Sequence, residues 1–414
     1  MELSGPDGVT LAEGKPRPRR RLPEGTGAVL ALFLVQFSAA VLPFGIGALA
    51  PYLTEGFGLS AGQVGLATSI LFACVAICSV PAGRFVDRSG VPRGLWICCA
   101  VIACGSVGLA LSQNTMGLAI ALGIVGVGYA LVSPATNRGV LETAPRTTRG
   151  RLMGIKQMGV TAGGVAAAAL LPAMVLRWGF GTSMFFVAVT IATVGIASSL
   201  VYRSIARSSG HQTSSAPVGA IDPRTRRRVV TLGAAIGTMV AAQHCVATYL
   251  TLYLVASRGL SITAAAGMLA LLHGSGTVAR FGWGWVSDRM ASRLRTMQVI
   301  GALAAATSLG LGLTGSWLPS VALIALIVVL GAATQGGNAV FQTAIAEEAP
   351  SRAGWASGVG MSLGFTGAIV APPIFGALID ATGSYVVAFA LSASIPLVGV
   401  AITHSLARDP SAGR

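Results

Sequence analysis

From residue 27 almost to the end, apolar residues come in long blocks separated by short polar breaks. A helix needs about 20 mostly apolar residues to cross the hydrocarbon core of a bilayer, so each block predicts a membrane-spanning helix. Twelve are expected, at 27–53, 61–86, 93–112, 115–142, 149–176, 180–204, 228–256, 262–287, 294–315, 317–346, 352–379 and 383–406. Several breaks consist of turn formers, such as Ser112-Gln113-Asn114-Thr115 and Asp380-Ala381-Thr382-Gly383-Ser384. The segment 205–227 differs: it is Ser-rich and runs into Arg224-Thr225-Arg226-Arg227-Arg228, which reads as a linker between two halves. The predicted fold is an all-α membrane protein, with about twelve transmembrane helices in two pseudo-symmetric six-helix bundles, 27–204 and 228–406. Residues 1–26 read as a disordered polar tail and 407–414 as a second, short one.

Composition removes the soluble alternatives. Hydrophobic residues make up 53% of the chain and charged residues only 10%, too few to cover a water-facing surface of this size. The 55 glycines fall largely inside the predicted helices, as in Gly123, Gly126 and Gly128, or Gly159, Gly163 and Gly164, or Gly354, Gly358, Gly360 and Gly364. In lipid such small residues let helix backbones approach closely. The net charge of +15 would suit nucleic acid, but its placement does not. Of 28 basic residues, two (Arg177 and Arg258) fall on one side of the predicted membrane, three lie inside helices, and all the rest fall on the other side. That asymmetry predicts a cytoplasmic membrane location with both termini, and the 205–227 linker, in the cytoplasm. The basic run Lys15-Pro16-Arg17-Pro18-Arg19-Arg20-Arg21 suits anionic membrane lipid. The six cysteines all lie in apolar runs with no His or acid beside them, so no metal site is expected.

Punctuation repeats between the halves. Gly83-Arg84-Phe85-Val86-Asp87-Arg88-Ser89-Gly90 returns as Gly284-Trp285-Val286-Ser287-Asp288-Arg289, and Glu142-Thr143-Ala144-Pro145 returns as Glu347-Glu348-Ala349-Pro350. Two related halves in a membrane protein point to a transporter. The two halves, the twelve helices and the Gly-x-x-x-Asp-Arg turn between the second and third helices resemble the major facilitator superfamily of secondary transporters, over roughly residues 27 to 406. The resemblance implies alternating access through a central path, no enzymatic activity, no cofactor and a monomer. It also implies a cytoplasmic gate in which Gly83, Asp87, Arg88 and Arg93 meet Glu142 and Arg149. Gly284, Asp288, Arg289, Glu347 and Arg352 form the second copy. Two departures stand out: Val91-Pro92-Arg93 follows Gly90 where the family has two adjacent basic residues, and Ala291 replaces the second-copy glycine.

The polar residues at membrane depth carry the chemistry. A charge at a helix centre costs about 2.5–3.5 kcal/mol on insertion scales, so each needs a reason. Lys156 lies seven residues beyond Arg149, about 10 Å deep, and Arg280 eight residues before Asp288, about 12 Å deep, at 1.5 Å per residue. Arg138 is shallower and stands four residues before Glu142, a structural i,i+4 pair. None of the thirteen acids falls near mid-helix. Lys156 and Arg280 must therefore be compensated by water, by backbone carbonyls or by an anionic ligand. The segments Gly154-Ile155-Lys156-Gln157-Met158-Gly159 and Arg280-Phe281-Gly282-Trp283-Gly284 resemble helices five and eight of organic-anion and monocarboxylate-type members. That resemblance implies that both cations reach one ligand.

The expected substrate site comprises Lys156, Arg280, Gln157, Asn137, Tyr129, Gln36, Gln243, His244, His273, Gln335 and Asn338, with Ser133 and Tyr249 on the same path. His244 and His273 are the titrating candidates if a proton is co-transported. The expected function is secondary transport of a small organic anion, by proton symport or anion exchange. The alternative, a proton-coupled drug or metabolite exporter, resembles family members with Gly-Pro in the fifth helix; Gly159-Val160-Thr161-Ala162-Gly163-Gly164 lacks that proline. A membrane enzyme or receptor would need a nucleophile–base pair, ligand cluster or signalling domain that the sequence does not offer.

Overall fold

The structure is a computed structural model that describes residues 26–143, 149–206, 221–349 and 353–408. The expected N-terminal tail, most of the expected linker, Arg352 and most of the C-terminal tail lie outside the described residues. Arg149 opens a helix, but its side chain is not among those described. Thirteen helical segments make up twelve membrane spans. The first half holds α1 (Thr26–Phe57), α2 (Ala61–Ser89), α3 (Val91–Leu111), α4 (Thr115–Thr143), α5 (Arg149–Trp178) and α6 (Phe180–Ala206). The second holds α7 (Pro223–Arg258), α8 (Ile262–Arg289), α9 (Arg293–Thr314), α10 (Ser320–Gly336), α11 (Asn338–Glu348), α12 (Ala353–Thr382) and α13 (Tyr385–Arg408). This is an all-α membrane protein of two six-span bundles.

Local chemistry sets the helix ends. Ser60 caps α2, accepting from the Gln63 N–H while the Gln63 side chain accepts from the Ser60 N–H, so two otherwise unpaired donors are satisfied. Gly90 joins α2 to α3 at φ 81°, a conformation that a side chain resists. Asp222 caps α7 through the Thr225 N–H, so α7 starts five residues earlier than the apolar pattern predicts. The arginine run 224–228 is thus the first turns of that helix rather than linker. Large side chains such as Ile77, Leu111, Leu176, Val278 and Val321 are exposed, as lipid-facing residues must be.

The tenth span departs from the single helix expected at 317–346. It breaks at Gly337, between α10 and α11. The interruption is slight: Gly337 keeps right-handed helical dihedrals, φ −66° and ψ −19°, and the span continues from Ser320 to Glu348. Trp283 on α8 donates its indole N–H to the Ala332 carbonyl at 2.8 Å, on the turn just before Gly337. Gly336 makes room for it, because a Cβ there would sit 2.8 Å from the Ala279 Cβ and 3.0 Å from the Trp283 ring. Trp283→Phe keeps an aromatic side chain and loses the bond. It should lower the melting temperature of the purified protein by the equivalent of about 1 kcal/mol; an unchanged melt would show that the indole bond does not stabilise the α8–α10 contact.

The two faces of the molecule are unlike. One, the motif face, carries the Gly83–Arg93 connection, the ends of α4, α8 and α11, and the described ends of the chain. The opposite face carries Ser60, Gly179, Gly259 and Gly383. From the opposite face to mid-membrane the halves are in close contact. A Cβ on Gly47 (α1) would strike the Ala247 carbonyl (α7), and one on Gly376 (α12) would strike the Ala61 carbonyl (α2). Toward the motif face the described ion pairs all join elements of one half. The described bonds between the halves gather on the opposite side and at mid-membrane.

Candidate functional site

The halves meet along a seam between α2 and α12 and along contacts of α1 with α7 and α5 with α8. Starting at the opposite face, the Asp380 carboxylate on α12 accepts from the Ala61 and Gly62 N–H groups at 3.0 and 2.8 Å and from the Ser60 hydroxyl at 2.7 Å. Deeper, the Tyr249 hydroxyl lies 2.8 Å from both the Ala61 and Pro372 carbonyls, and it is fully buried. Next, Ser69 donates to the Ile369 carbonyl, whose usual helical donor is missing because residue 373 is proline. Thr68 and Thr248 meet at 3.3 Å. The seam ends in rings: Phe72 packs on His244 at 4.5 Å and on Phe365 at 5.7 Å, and Phe44 packs on both His244 and His273.

Below this aromatic roof, toward the motif face, sit the two interior cations. Lys156 Nζ donates to Asn137 Oδ1 at 2.6 Å and to the Thr136 hydroxyl at 3.3 Å. Thr136 in turn has Gln36 Oε1 and the Val132 carbonyl as acceptors, at 3.0 and 2.7 Å. Lys156 is only 1% exposed, so its charge is held in a neutral polar nest of α1, α4 and α5. Arg280 Nη1 reaches across the halves to the Gln157 carbonyl at 3.3 Å, beside Lys156, and its buried Nε has no partner. The Tyr129 phenol lies within electrostatic reach of Arg280. A second neutral pair, Asn338 Nδ2 to Gln243 Oε1 at 3.2 Å, joins α11 to α7 within the second half.

No ion pair among the described residues involves Lys156 or Arg280. The contrast with cations nearer the motif face is sharp. Arg138 pairs with Asp87 at 3.1 Å and Glu142 at 2.7 Å, Arg228 with Glu348 at 2.8 Å, and Arg293 with Asp288 at 2.6 Å and Glu347 at 3.3 Å.

The residues expected from sequence fall in several places. Lys156, Gln157, Asn137, Gln36, Arg280 and Tyr129 come together at the α1–α4–α5–α8 junction; Thr136, which sequence reasoning passed over, joins them. His244 and His273 belong to the roof; His273 is fully buried and neither ring nitrogen has a partner. Gln335 lies apart in the α8–α10 contact, its amide unpartnered, with a Gly276 Cβ position next to its own Cβ. Tyr249, expected on the central path, is a seam residue instead. Ser133 is half-buried, and its carbonyl lies 3.5 Å from the Thr136 hydroxyl.

The described gate residues lie at the motif face. Every described pair at the motif face stays inside one half: Asp87 and Glu142 share Arg138, while Asp288 and Glu347 share Arg293. Arg289 stacks over Trp285 at 5.5 Å, and Arg88 and Arg93 take part in none of the described ion pairs. No ion pair among the described residues of this face joins one half to the other.

Comparison with known proteins agrees with this architecture. A "probable sulfoacetate transporter" of Cupriavidus necator is 24% identical over 406 residues, covering 91% of this chain and 92% of its own length. An uncharacterised MFS-type transporter of Mycobacterium tuberculosis is 26% identical over 388 residues, covering 92% of this chain and 86% of the relative. Crystal structures of a bacterial homologue of the human lysosomal transporter Spinster superpose with TM-scores of 0.72 and 0.73, at 19% and 18% identity, covering 94% of this chain and 98% of theirs. The sequence profile of the Major Facilitator Superfamily matches residues 30–372. With two six-span halves and that match over most of its length, the chain is a multi-pass membrane transporter of the Major Facilitator Superfamily.

Proposed function

We propose that this protein carries a small organic anion, carboxylate- or sulfonate-bearing, across the cytoplasmic membrane by alternating access, as a proton symporter or an anion exchanger. The observation that carries this reading is the pair of interior cations. Lys156 and Arg280 sit on opposite halves at adjoining positions, each bonded only to neutral groups, while Arg138, Arg228 and Arg293 near the motif face each have a carboxylate. An anion entering between the halves gains two charge-assisted partners and relieves two under-compensated charges. Because one cation belongs to each half, the ligand draws the halves together, which is what an alternating carrier requires of its substrate.

Two further facts lean the same way. The Cupriavidus necator relative is named for a small organic anion. No acid among the described residues lies in the interior cluster, whereas a carrier of lipophilic cations needs a negative partner there. The basic excess on the motif face supports placing that face in the cytoplasm, with both termini and the connection between α6 and α7. The carrier is a monomer of two bundles, α1–α6 and α7–α13.

The test is a panel of small carboxylates and sulfonates. Those that are bound should raise the melting temperature of the purified protein, since a ligand of the native state stabilises it. Arg280→Ala should abolish that shift and reduce uptake into proteoliposomes at least tenfold with the protein still folded. Normal anion uptake by both Arg280→Ala and Lys156→Ala would overturn the assignment.

A further inference from the structure

We infer that Asp380 is the latch of the face opposite the motif. Its carboxylate, at the end of α12 in the second half, caps the N-terminus of α2 in the first half, and this contact holds that face shut.

Ser60, Ala61 and Gly62 all present donors to this one carboxylate, at 2.7, 3.0 and 2.8 Å. The first N–H groups of a helix have no partner within the helix, and the aligned peptide dipoles make that end positive, so a carboxylate there satisfies donors and charge together. Capping within one half is common in this chain, as Asp222 shows on α7. Asp380 is different because its helix belongs to the other half, 318–320 residues away in sequence. Separating the halves on this face therefore breaks all three bonds at once. Behind the carboxylate, Tyr249 repeats the pattern from α7, bonded to carbonyls of both α2 and α12. On the motif face, the described carboxylates Asp87, Glu142, Asp288, Glu347 and Glu348 are all bonded within their own halves. In this conformation, then, Asp380 is the described carboxylate that ties one half to the other.

The inference rests on the alternation proposed above, but not on the charge of the substrate. It is tested by distances between spin labels in a cysteine-free background. One pair, Asn114→Cys with Ser316→Cys, reports the opposite face; another, Arg203→Cys with Arg295→Cys, reports the motif face. Asp380→Ala should lower the ratio of closed to open opposite face about tenfold and shorten the motif-face distance in step. Asp380→Asn, which keeps the size and one acceptor, should fall between and carries the test if the alanine variant does not fold. Asp222→Ala, which loses a cap within one half, should leave both distances as in the wild type. Gly65→Trp serves as a mechanical wedge in the same seam. If the wedge opens the face and both Asp380 variants keep wild-type distances, or only lower the melting temperature, the latch is wrong and alternation stands. If even the wedge leaves the face closed, alternation fails and the latch fails with it.

Discussion

Gly65→Trp is expected to stop transport without unfolding the chain, by forcing α2 and α12 apart on the face opposite the motif. Even a Cβ at this position strikes the Pro372 carbonyl and comes within 2.5 Å of the Tyr249 hydroxyl. Neither obstacle yields easily: the first is helix backbone, and the second is held to two carbonyls. Gly376 faces the same spot from the other side, with the Ala61 carbonyl and the Tyr249 hydroxyl against it. Overpacking a seam by this much costs about 1–3 kcal/mol or more, and each half can avoid that cost by moving away as a unit. Two-state equilibria of this kind respond strongly, since 1.4 kcal/mol is about tenfold in population. Gly83→Trp supplies the opposite case. Nothing lies within 4 Å of a Cβ there, so the conformation seen here accommodates it. It should block only the closing of the motif face. Label distances across the two faces would separate these outcomes: Gly65→Trp shifts to an open opposite face, Gly83→Trp stays with the motif face open, and both lose transport. Wild-type distances in Gly65→Trp would overturn the alternation itself.

Much of the architecture was legible because the bilayer simplifies the code. Apolar block length counts spans, and the loop at Gly83–Arg93 with its echo at Gly284–Arg289 identifies the halves. What the sequence hides is pairing through backbone. The partners of Asp380 are N–H groups of Ala61 and Gly62, and that of Arg280 is the Gln157 carbonyl; no residue type advertises them. The bond between α8 and α10 is hidden for the same reason, since Trp283 bonds a main-chain oxygen on another helix. Thr136 was passed over because a threonine in a membrane helix usually bonds back to its own helix, and this one does so as well, to Val132. The gate motif was legible as residues but not as pairs: which half supplies each partner depends on which face is open.

The lysine gives the sharper test of what the interior charges are for. Lys156→Gln should raise the melting temperature of the ligand-free protein while abolishing stabilisation by anions. Buried at 1% exposure, Lys156 has two neutral acceptors and no acid among the described residues, so the empty protein bears part of the cost of an interior charge. That cost is about 2.5–3.5 kcal/mol at a helix centre, and the bonds to Asn137 and Thr136 offset some of it. A glutamine at this position is shorter and neutral and can still bond Asn137, so a net gain of about 1 kcal/mol in the empty protein is expected. The gain should vanish in saturating anion, because the wild type recovers it from the ligand and the variant does not. A purely structural lysine predicts the reverse sign: losing its bonds would lower the melt and leave anion binding intact. Arg280 does not offer the same separation, since its bond to Gln157 also joins the halves. The sign of one melting shift, measured with and without anion, therefore distinguishes a charge kept for its passenger from a charge kept for the fold.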